Sequence, residues 1–147
     1  MEFRKTTDLL STTYADALAI RKTVFVEEQN VDESLEIDDL EDQTLHLVGY
    51  VQDKPACTAR LLKKDNGDIK IQRVAVLKDY RGTGLGLKLL QEIERFAVKE
   101  LNGSRLILDS QDHATPFYEK ADYTVEGDGF LDAGIPHHFM QKRIDQI

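Results

Sequence analysis

Residues 71–101, IQRVAVLKDYRGTGLGLKLLQEIERFAVKEL, decide the fold that the sequence predicts. The opening run, IQRVAVL, is mostly apolar and rich in β-branched residues, which indicates a strand buried on both faces. Beyond the glycines, apolar residues recur at steps of three and four positions, as they do along the buried face of a helix. Asn102-Gly103 can take the left-handed conformation that ends a helix. The stretch therefore predicts a strand, a glycine-rich turn and a long helix.

This order of elements is typical of an anion-binding site. The first backbone N–H groups of a helix have no partner inside the helix, and the helix dipole is positive at that end. Glycines let the backbone approach a phosphate closely, because they carry no Cβ. We therefore expect the ligand of this turn to carry a phosphate or a pyrophosphate.

Two common phosphate loops match the stretch poorly. A Walker loop needs Gly-Lys-Ser/Thr at its end, whereas Leu87-Lys88-Leu89 follows the last glycine here, so this loop is excluded. A dinucleotide-binding loop needs glycines at its first, third and sixth positions, but the sixth position counted from Gly82 is Leu87. Asp109, at the end of the next predicted strand, could still bind a ribose, so this loop remains a partial match.

The pattern that fits is Arg/Gln-x-x-Gly-x-Gly/Ala, supplied by Arg81, Gly84 and Gly86. It resembles the acyl-CoA signature of the GNAT N-acetyltransferases. The resemblance implies that acetyl-CoA is the co-substrate, with its thioester arm along the strand backbone and its pyrophosphate on the loop amides. The residues that it assigns to the cofactor are Val74, Ala75, Val76, Arg81, Gly82, Thr83, Gly84, Leu85, Gly86, Leu87, Gln111 and Tyr118.

Length and composition set further bounds. The 147 residues suffice for one domain, predicted over residues 1–147, and the net charge of −8 argues against nucleic acid as a partner. A lone cysteine, Cys57, allows no internal disulfide and favours the cytoplasm. The N-terminal stretch lacks the apolar core of a signal peptide, and no segment is long and apolar enough for a membrane span.

Patterning along the chain predicts a mixed α/β sheet. A first strand, a helix over Ala15–Glu28 capped by Thr12 or Thr13, and an acidic segment over Asn30–Asp42 come first. Three antiparallel strands then lead into the glycine loop, and a strand, a short helix and two strands follow the long helix. The crossover through the long helix predicts one parallel pair in a mostly antiparallel sheet, with helices on both faces.

The GNAT resemblance covers nearly the whole chain, and its details are similar to the ElaA-type subgroup. In the first half it rests on RKTVFVEEQ at residues 21–29, Glu36-x-Asp38 and His46. In the second half it rests on a group of spaced residues, namely Leu108, Gln111, Ala114, Phe117, Tyr118, Gly134-Ile135-Pro136-His137 and Met140. Asp109-Ser110 and Asp122-Tyr123 depart from the subgroup pattern, so we expect the acceptor pocket or the helix exit to differ from the subgroup.

Amide formation needs a held thioester, a stabilised oxyanion, a base for the amine and an acid for the leaving thiolate. The resemblance assigns the acid to Tyr118 and places Gln111 at the cofactor arm. For the base, subgroup position suggests Glu36, Asp38 or His46, and imidazole chemistry suggests His113, His137 or His138. We take Glu36 and His137 as the base candidates, assign Glu28, Asp38 and His46 to the acceptor, and expect no metal site.

The sequence thus predicts an acetyl-CoA-dependent N-acetyltransferase acting on a primary amine of a small molecule or peptide. The family resemblance also allows a homodimer. Two alternatives stay open. One is a non-catalytic acyl-CoA-binding sensor or scaffold. The other is an enzyme resembling the acyl-homoserine-lactone synthases, although those carry tryptophan near the first helix and this chain has none.

Overall fold

A computed structural model describes residues 1–145, so the last two positions of the predicted 1–147 domain lie outside the described residues. Eight strands form one sheet in the order β1-β2-β3-β4-β5-β8-β6, and β7 pairs with β8. The strands are β1 Glu2–Thr6, β2 Leu45–Val51, β3 Lys54–Lys63, β4 Asp68–Val76, β5 Arg105–Gln111, β6 Thr124–Val125, β7 Phe130–Asp132 and β8 Ile135–Arg143. Within residues 1–145 the only parallel pair is β4 with β5.

Within residues 1–145, four α-helices connect or flank the strands. They are α1 Thr12–Arg21, α2 Glu33–Glu36, α3 Leu85–Lys99 and α4 Thr115–Lys120. The predicted helix over Ala15–Glu28 is wrong in its second half, because a π-helix over Lys22–Glu28 continues α1. The predicted cap is also wrong: Ser11, not Thr12 or Thr13, accepts a hydrogen bond from the Tyr14 N–H.

Helices cover both faces of the sheet, as the sequence predicts. Neighbouring residues of a strand point to opposite faces, so Leu47 and Val48 of β2 belong to different cores. Leu47 packs with Leu89 and Ile93 of α3, whereas Val48 packs with residues of α1 such as Ile20. The α3 face is the larger core, and it buries the periodic apolar residues of the decisive stretch.

The α1 face also contains buried charge. Arg21, Glu36, Glu41 and Arg60 are all nearly inaccessible, and hydrogen bonds join the two arginines to the two carboxylates. Buried charges persist only when they are paired and hydrogen-bonded, which these are. The acidic segment Asn30–Asp42 is therefore partly an interior element rather than only a solvated loop.

The predicted meander and crossover are confirmed. β2, β3 and β4 pair antiparallel in sequence order, and α3 joins β4 to the parallel strand β5. The connection between β6 and β8 contains β7 and a two-residue turn at Ala133-Gly134, where both residues have a positive φ. No helix among residues 1–145 is long and apolar enough to cross a bilayer.

Candidate active site

The central feature of the sheet is a gap between its two parallel strands. β4 and β5 pair from Asp68↔Arg105 to Ile71↔Leu108, and beyond that point they no longer pair with each other. Each strand keeps its outer partner, since β4 continues beside β3 and β5 continues beside β8. The second half of β4 therefore presents an open backbone edge to the gap, and an extended ligand can pair with such an edge.

A bulge in β4 accompanies the gap. Gln72 pairs with Arg60 and Ala75 pairs with Thr58, so both Arg73 and Val74 lie opposite the single residue Ala59. An extra residue bends the bulged strand and ends its pairing on one side. Arg73 has a φ of 53°, which is uncommon for a residue that carries a side chain.

The gap opens into a cleft of about 830 Å³, within the size range of small-molecule sites. Its walls are the inner edges of β4 and β5, the π-helix, α2 and the β7–β8 hairpin. The residues predicted to hold the cofactor that line this cleft are Val74, Ala75, Val76, Arg81, Gln111 and Tyr118. The other predicted cofactor residues, Gly82–Leu87, follow at the start of α3.

The glycine loop leaves steric room at the N-terminus of α3. Gly82 and Gly84 have φ values of 77° and 84°, and a Cβ built on either would meet nothing within 4 Å. Gly84 caps α3 without a side-chain hydrogen bond, so the first N–H groups of the helix stay available to an anion. Thr83 shapes the turn by donating from Oγ1 to the carbonyl oxygen of Tyr80 at 2.6 Å.

Gly86 has a different reason to be glycine. A Cβ at this position would lie 3.0 Å from Cζ of Phe117, closer than an ordinary van der Waals contact, so the Phe117 ring would have to shift to admit a side chain. The side chains of the two flanking leucines differ in burial: Leu85 packs in the core, whereas Leu87 is exposed. Both leucines lie in the first turn of α3, so they contribute backbone N–H groups to this helix end.

Arg81 links the glycine loop to the opposite wall of the cleft. Its Nε donates to the carbonyl oxygen of Val76 and its Nη2 donates to Glu28 Oε1, both at 2.8 Å. Glu28 was predicted to bind the acceptor, and it does line the cleft. It lies at the end of the π-helix, so this ion pair joins the π-helix to the cofactor loop.

Tyr118 lies in α4, and its side chain lines the cleft while remaining mostly buried. Its hydroxyl makes no hydrogen bond to any residue from 1 to 145, and burial raises its pKa above the usual range. Tyr118 is therefore protonated at neutral pH and presents an O–H donor to the cleft, and its raised pKa makes it a weaker acid than a free phenol.

His137 also lines the cleft and is 8% exposed. Its Nδ1 lies 2.6 Å from the carbonyl oxygen of Ile135, and a carbonyl can only accept, so Nδ1 carries the proton. Nε2 then holds a lone pair, and it has no hydrogen-bond partner within the described chain. The ring of Phe130 stacks on the imidazole with centroids 5.9 Å apart, which fixes its plane.

Glu36 lies beside the cleft in an environment that does not suit a general base. Arg21 donates to both of its carboxylate oxygens, and Arg73 Nε lies 3.6 Å from Oε2. A general base needs an oxygen that is free to contact the substrate, and guanidinium groups already occupy both carboxylate oxygens of Glu36. The structure therefore places Glu36 in an ion network and not at a free proton-accepting position.

Asp38 and His46, predicted to bind the acceptor, are not among the described residues that line the cleft. Burial disfavours the charge of Asp38, but hydrogen bonds from Arg60 and the Leu40 N–H prevail and lower its pKa to about 2. His46 is buried against Tyr14 and contacts the carbonyl oxygen of Glu41, and burial lowers its pKa. Both side chains therefore make contacts within the protein on the α1 face of the sheet.

The remaining histidines differ in position. His113 lines the cleft, whereas His138 is turned toward Asp112, with Nδ1 2.7 Å from Oδ1. Gln111 donates from Nε2 to Gln29 Oε1 at 2.7 Å, which joins the end of β5 to the end of the π-helix across the cleft. Among residues 1–145 there is no group of three or more His, Cys, Asp or Glu side chains placed to hold a metal.

Sequence reasoning missed several residues that shape the cleft: Gln29, Arg73, Phe130 and Asp132. A signal for Phe130 and Asp132 existed, because Asp-Ala-Gly followed by an apolar strand can form a hairpin turn. Arg73 gave no local signal, since nothing in its neighbours marks a left-handed residue inside a strand.

A family model decides the relationship of this chain to known proteins. The Acetyltransferase (GNAT) domain model matches residues 10–144. The chain belongs to the GNAT acetyltransferase family. It is 43% identical over 128 residues to the uncharacterised N-acetyltransferase YjcF of Bacillus subtilis, with 86% of this chain and 90% of YjcF covered.

Solved structures of this family share the whole fold. An acyl-CoA N-acyltransferase from Pseudomonas aeruginosa superposes with a TM-score of 0.84 at 25% identity, covering 96% of this chain and 98% of its own. Escherichia coli ElaA also has a TM-score of 0.84, at 26% identity and with coverage of 96% and 98%. The family, the fold and an acyltransferase activity are thereby established for this GNAT chain.

Proposed function

We propose that this GNAT protein transfers the acetyl group of acetyl-CoA to a primary amine of a small molecule or peptide in the cytoplasm. The observation that carries the proposal is the gap between β4 and β5, which brings an open strand edge, a free helix N-terminus, Tyr118 and His137 to one cleft. An aminoglycoside 6′-N-acetyltransferase of the same fold, at 16% identity and TM-score 0.73, was solved in complex with coenzyme A.

Each part of the co-substrate has a matching group in this chain. The N–H groups at the start of α3, together with the turn at Gly82–Gly84, would hold the pyrophosphate. The open edge of Val74–Val76 would pair with the amide-bearing arm and donate to the acetyl oxygen as negative charge develops there. Acetyl-CoA supplies the activated thioester carbon, and the protein supplies orientation and proton transfer.

Proton transfer divides between two residues. The acceptor enters as an ammonium and loses one proton to solvent before it attacks. As its nitrogen then bonds to the acetyl carbon and the C–S bond breaks, His137 Nε2 takes the second proton, directly or through water, and passes it to solvent. Tyr118 gives its proton to the departing thiolate, and solvent restores it. The products are an amide, free CoA thiol and one proton released to solvent, so protons and electrons balance.

The charges that line the cleft favour a cationic acceptor. Three lining carboxylates are each paired with a lining cation. The pairs are Glu28 with Arg81 at 2.8 Å, Asp109 with Lys70 at 3.5 Å and Glu36 with Arg73 at 3.6 Å. Asp132 is then the one lining carboxylate with no cation within 4.0 Å in the described chain. An uncompensated negative charge at the mouth attracts an ammonium group and repels an anionic acceptor.

The test separates binding from turnover. Thermal unfolding with acetyl-CoA, CoA and NAD is expected to show stabilisation by both CoA species and none by NAD, by about 2.7 kcal/mol at roughly 100 times Kd. A screen of primary amines should then release CoA thiol with at least one acceptor. Stabilisation without thiol release from any amine would indicate a sensor or scaffold. No stabilisation by either CoA species would overturn the proposal.

A further inference from the structure

The residue at the β4 bulge has an unusual backbone and an unusual side-chain environment. Arg73 adopts a φ of 53° although it is not glycine, and such a conformation persists only where surrounding contacts impose it. Its side chain extends to the end of α2, where it contacts the carbonyl oxygen of Glu36. The contacts that hold this side chain therefore also hold the bulge in shape.

Those contacts are mainly to the end of α2. Arg73 Nε and Nη2 donate to the carbonyl oxygen of Glu36 at 3.2 and 3.1 Å, and Nη2 also lies 3.4 Å from the carbonyl oxygen of Leu35. Carbonyl groups in the last turn of a helix have no partner inside the helix, so a guanidinium fork suits them. Nη2 further contacts Asp38 Oδ2 at 3.3 Å.

Behind Arg73 lies a buried network that anchors the same segment. Arg21 donates to Glu36 and Glu41, and Arg60 donates to Asp38 and Glu41. Three arginines therefore face three carboxylates, and their formal charges cancel. Arg21 and Arg60 each have a relative side-chain exposure of 1%, whereas Arg73 is 25% exposed and reaches the cleft.

The residues on both sides of the contact between Arg73 and α2 form walls of the cleft. Arg73 and Val74 belong to the open edge of β4, and Leu35 and Glu36 form part of the opposite wall. We propose that Arg73 is a positioning residue that holds the segment Leu35–Asp38 against the β4 bulge. It thereby fixes the thioester-facing backbone of Val74–Val76 relative to the wall that an acceptor amine would contact. The role of the two walls rests on the proposed function, whereas the link between them does not.

Hydrogen exchange of the intact protein tests the link without any substrate. R73G removes the guanidinium contacts to α2, and glycine adopts the left-handed conformation without strain. The backbone amides of residues 33–41 and 72–76 should therefore both exchange at least about tenfold faster. R73K keeps one charge but not the planar fork, and should fall between R73G and the unmodified protein. R105M is the matched control, because Arg105 joins β5 to Asp68 at the far end of the same strand pair.

Kinetics provide the second readout. Calorimetric Kd values for CoA are expected to rise by less than about tenfold in both Arg73 variants, because Val74–Val76 hold the arm less firmly while the glycine loop that holds the pyrophosphate is untouched. Thiol release with an accepted amine should fall roughly 10²-fold in R73G, in line with the cost of a small misplacement, and partly recover in R73K. R105M should lose stability without any of these changes.

Several outcomes would overturn the inference: unchanged exchange of residues 33–41 in R73G, equal acceleration in R105M, or a loss of CoA affinity as large as the loss of turnover. If R73G does not fold, R73K becomes the test. Amide exchange in R73K at the rates of the unmodified protein would then refute the link between Arg73 and the segment Leu35–Asp38. Failure of every amine to release thiol would defeat the proposed function but leave the exchange result valid.

Discussion

His137 Nδ1 lies 2.6 Å from the carbonyl oxygen of Ile135, two residues earlier on the same strand. Because this carbonyl accepts, the imidazole proton is fixed on Nδ1 and the lone pair on Nε2. Phe130 stacks on the ring from the neighbouring strand β7 and holds it in place. The hairpin thus sets the tautomer of the proposed base before any ligand binds.

Replacing His137 with Gln should remove this base while keeping a polar side chain of similar length. We expect kcat for thiol release to fall roughly 10²- to 10⁴-fold with little change in CoA affinity, measured by steady-state kinetics and calorimetry. His138→Gln is the control, because that ring is paired with Asp112 on the exposed side of the strand. Equal losses in the two variants would contradict the assignment of His137.

Tyr118 and Tyr123 offer a second matched pair. Their rings contact each other edge to face at 5.7 Å, and both hydroxyls lack a partner in the part of the chain described, but only Tyr118 lines the cleft. Tyr118→Phe should lower kcat on the order of 10²-fold, because the leaving thiolate loses its proton donor.

Tyr123→Phe should leave kcat unchanged and keep or raise the melting temperature, because it removes a buried hydroxyl without a partner. Calorimetry of both variants with CoA checks that binding persists. A Tyr118→Phe enzyme as fast as the unmodified one would remove the phenol from the reaction.

Gly86 tests the packing beneath the cofactor loop. Gly86→Ala places a methyl group 3.0 Å from Phe117 Cζ, which should cost about 1–3 kcal/mol in urea unfolding. Phe117→Leu in the same chain should recover part of that loss by making room. Lys88→Ala, on the exposed side of the same helix turn, is the control and should be nearly neutral. No recovery in the double variant would mean that the steric account is wrong.

Much of the fold was predictable because its signals are local. The β-branched run, the three glycines and the period of α3 lie in one continuous stretch, and they indicated the parallel pair and the loop. The π-helix gave no separate signal, because KTVFVEE carries apolar residues at spacings that an α-helix also shows. β7 was missed because three exposed residues are too few to show an alternation.

The candidate site was harder to predict, because it depends on distant pairings. The environment of Asp38 is set by Arg60, 22 positions later, and that of Glu36 by Arg21 and Arg73. An acidic segment looks the same in sequence whether its side chains face solvent or buried arginines. His137 could be proposed from its chemistry, but its tautomer depends on a strand-end carbonyl that only the backbone path reveals.

The buried network should make stability depend on acid pH. Asp38 has its pKa lowered to about 2, and Glu41 also has a lowered pKa, because hydrogen bonds from arginines outweigh the opposing effect of burial. For a carboxyl group with a lowered folded-state pKa, the stabilisation is complete above the unfolded value, near 3.8 for Asp38 and 4.5 for Glu41. This stabilisation is lost as the pH falls through the pKa that each carboxyl group has in the folded protein.

We therefore expect the urea midpoint to be steady from pH 7 to about pH 5 and to decline progressively toward about pH 2. Asp38→Asn should be less stable than the unmodified protein at pH 7, and its decline with acid should be shallower, because one linked carboxylate is gone. Asp128→Asn, in an exposed loop, should follow the unmodified curve at every pH. If Asp38→Asn instead runs parallel to the unmodified protein down to pH 2, the Asp38–Arg60 contact is not the source of the acid dependence.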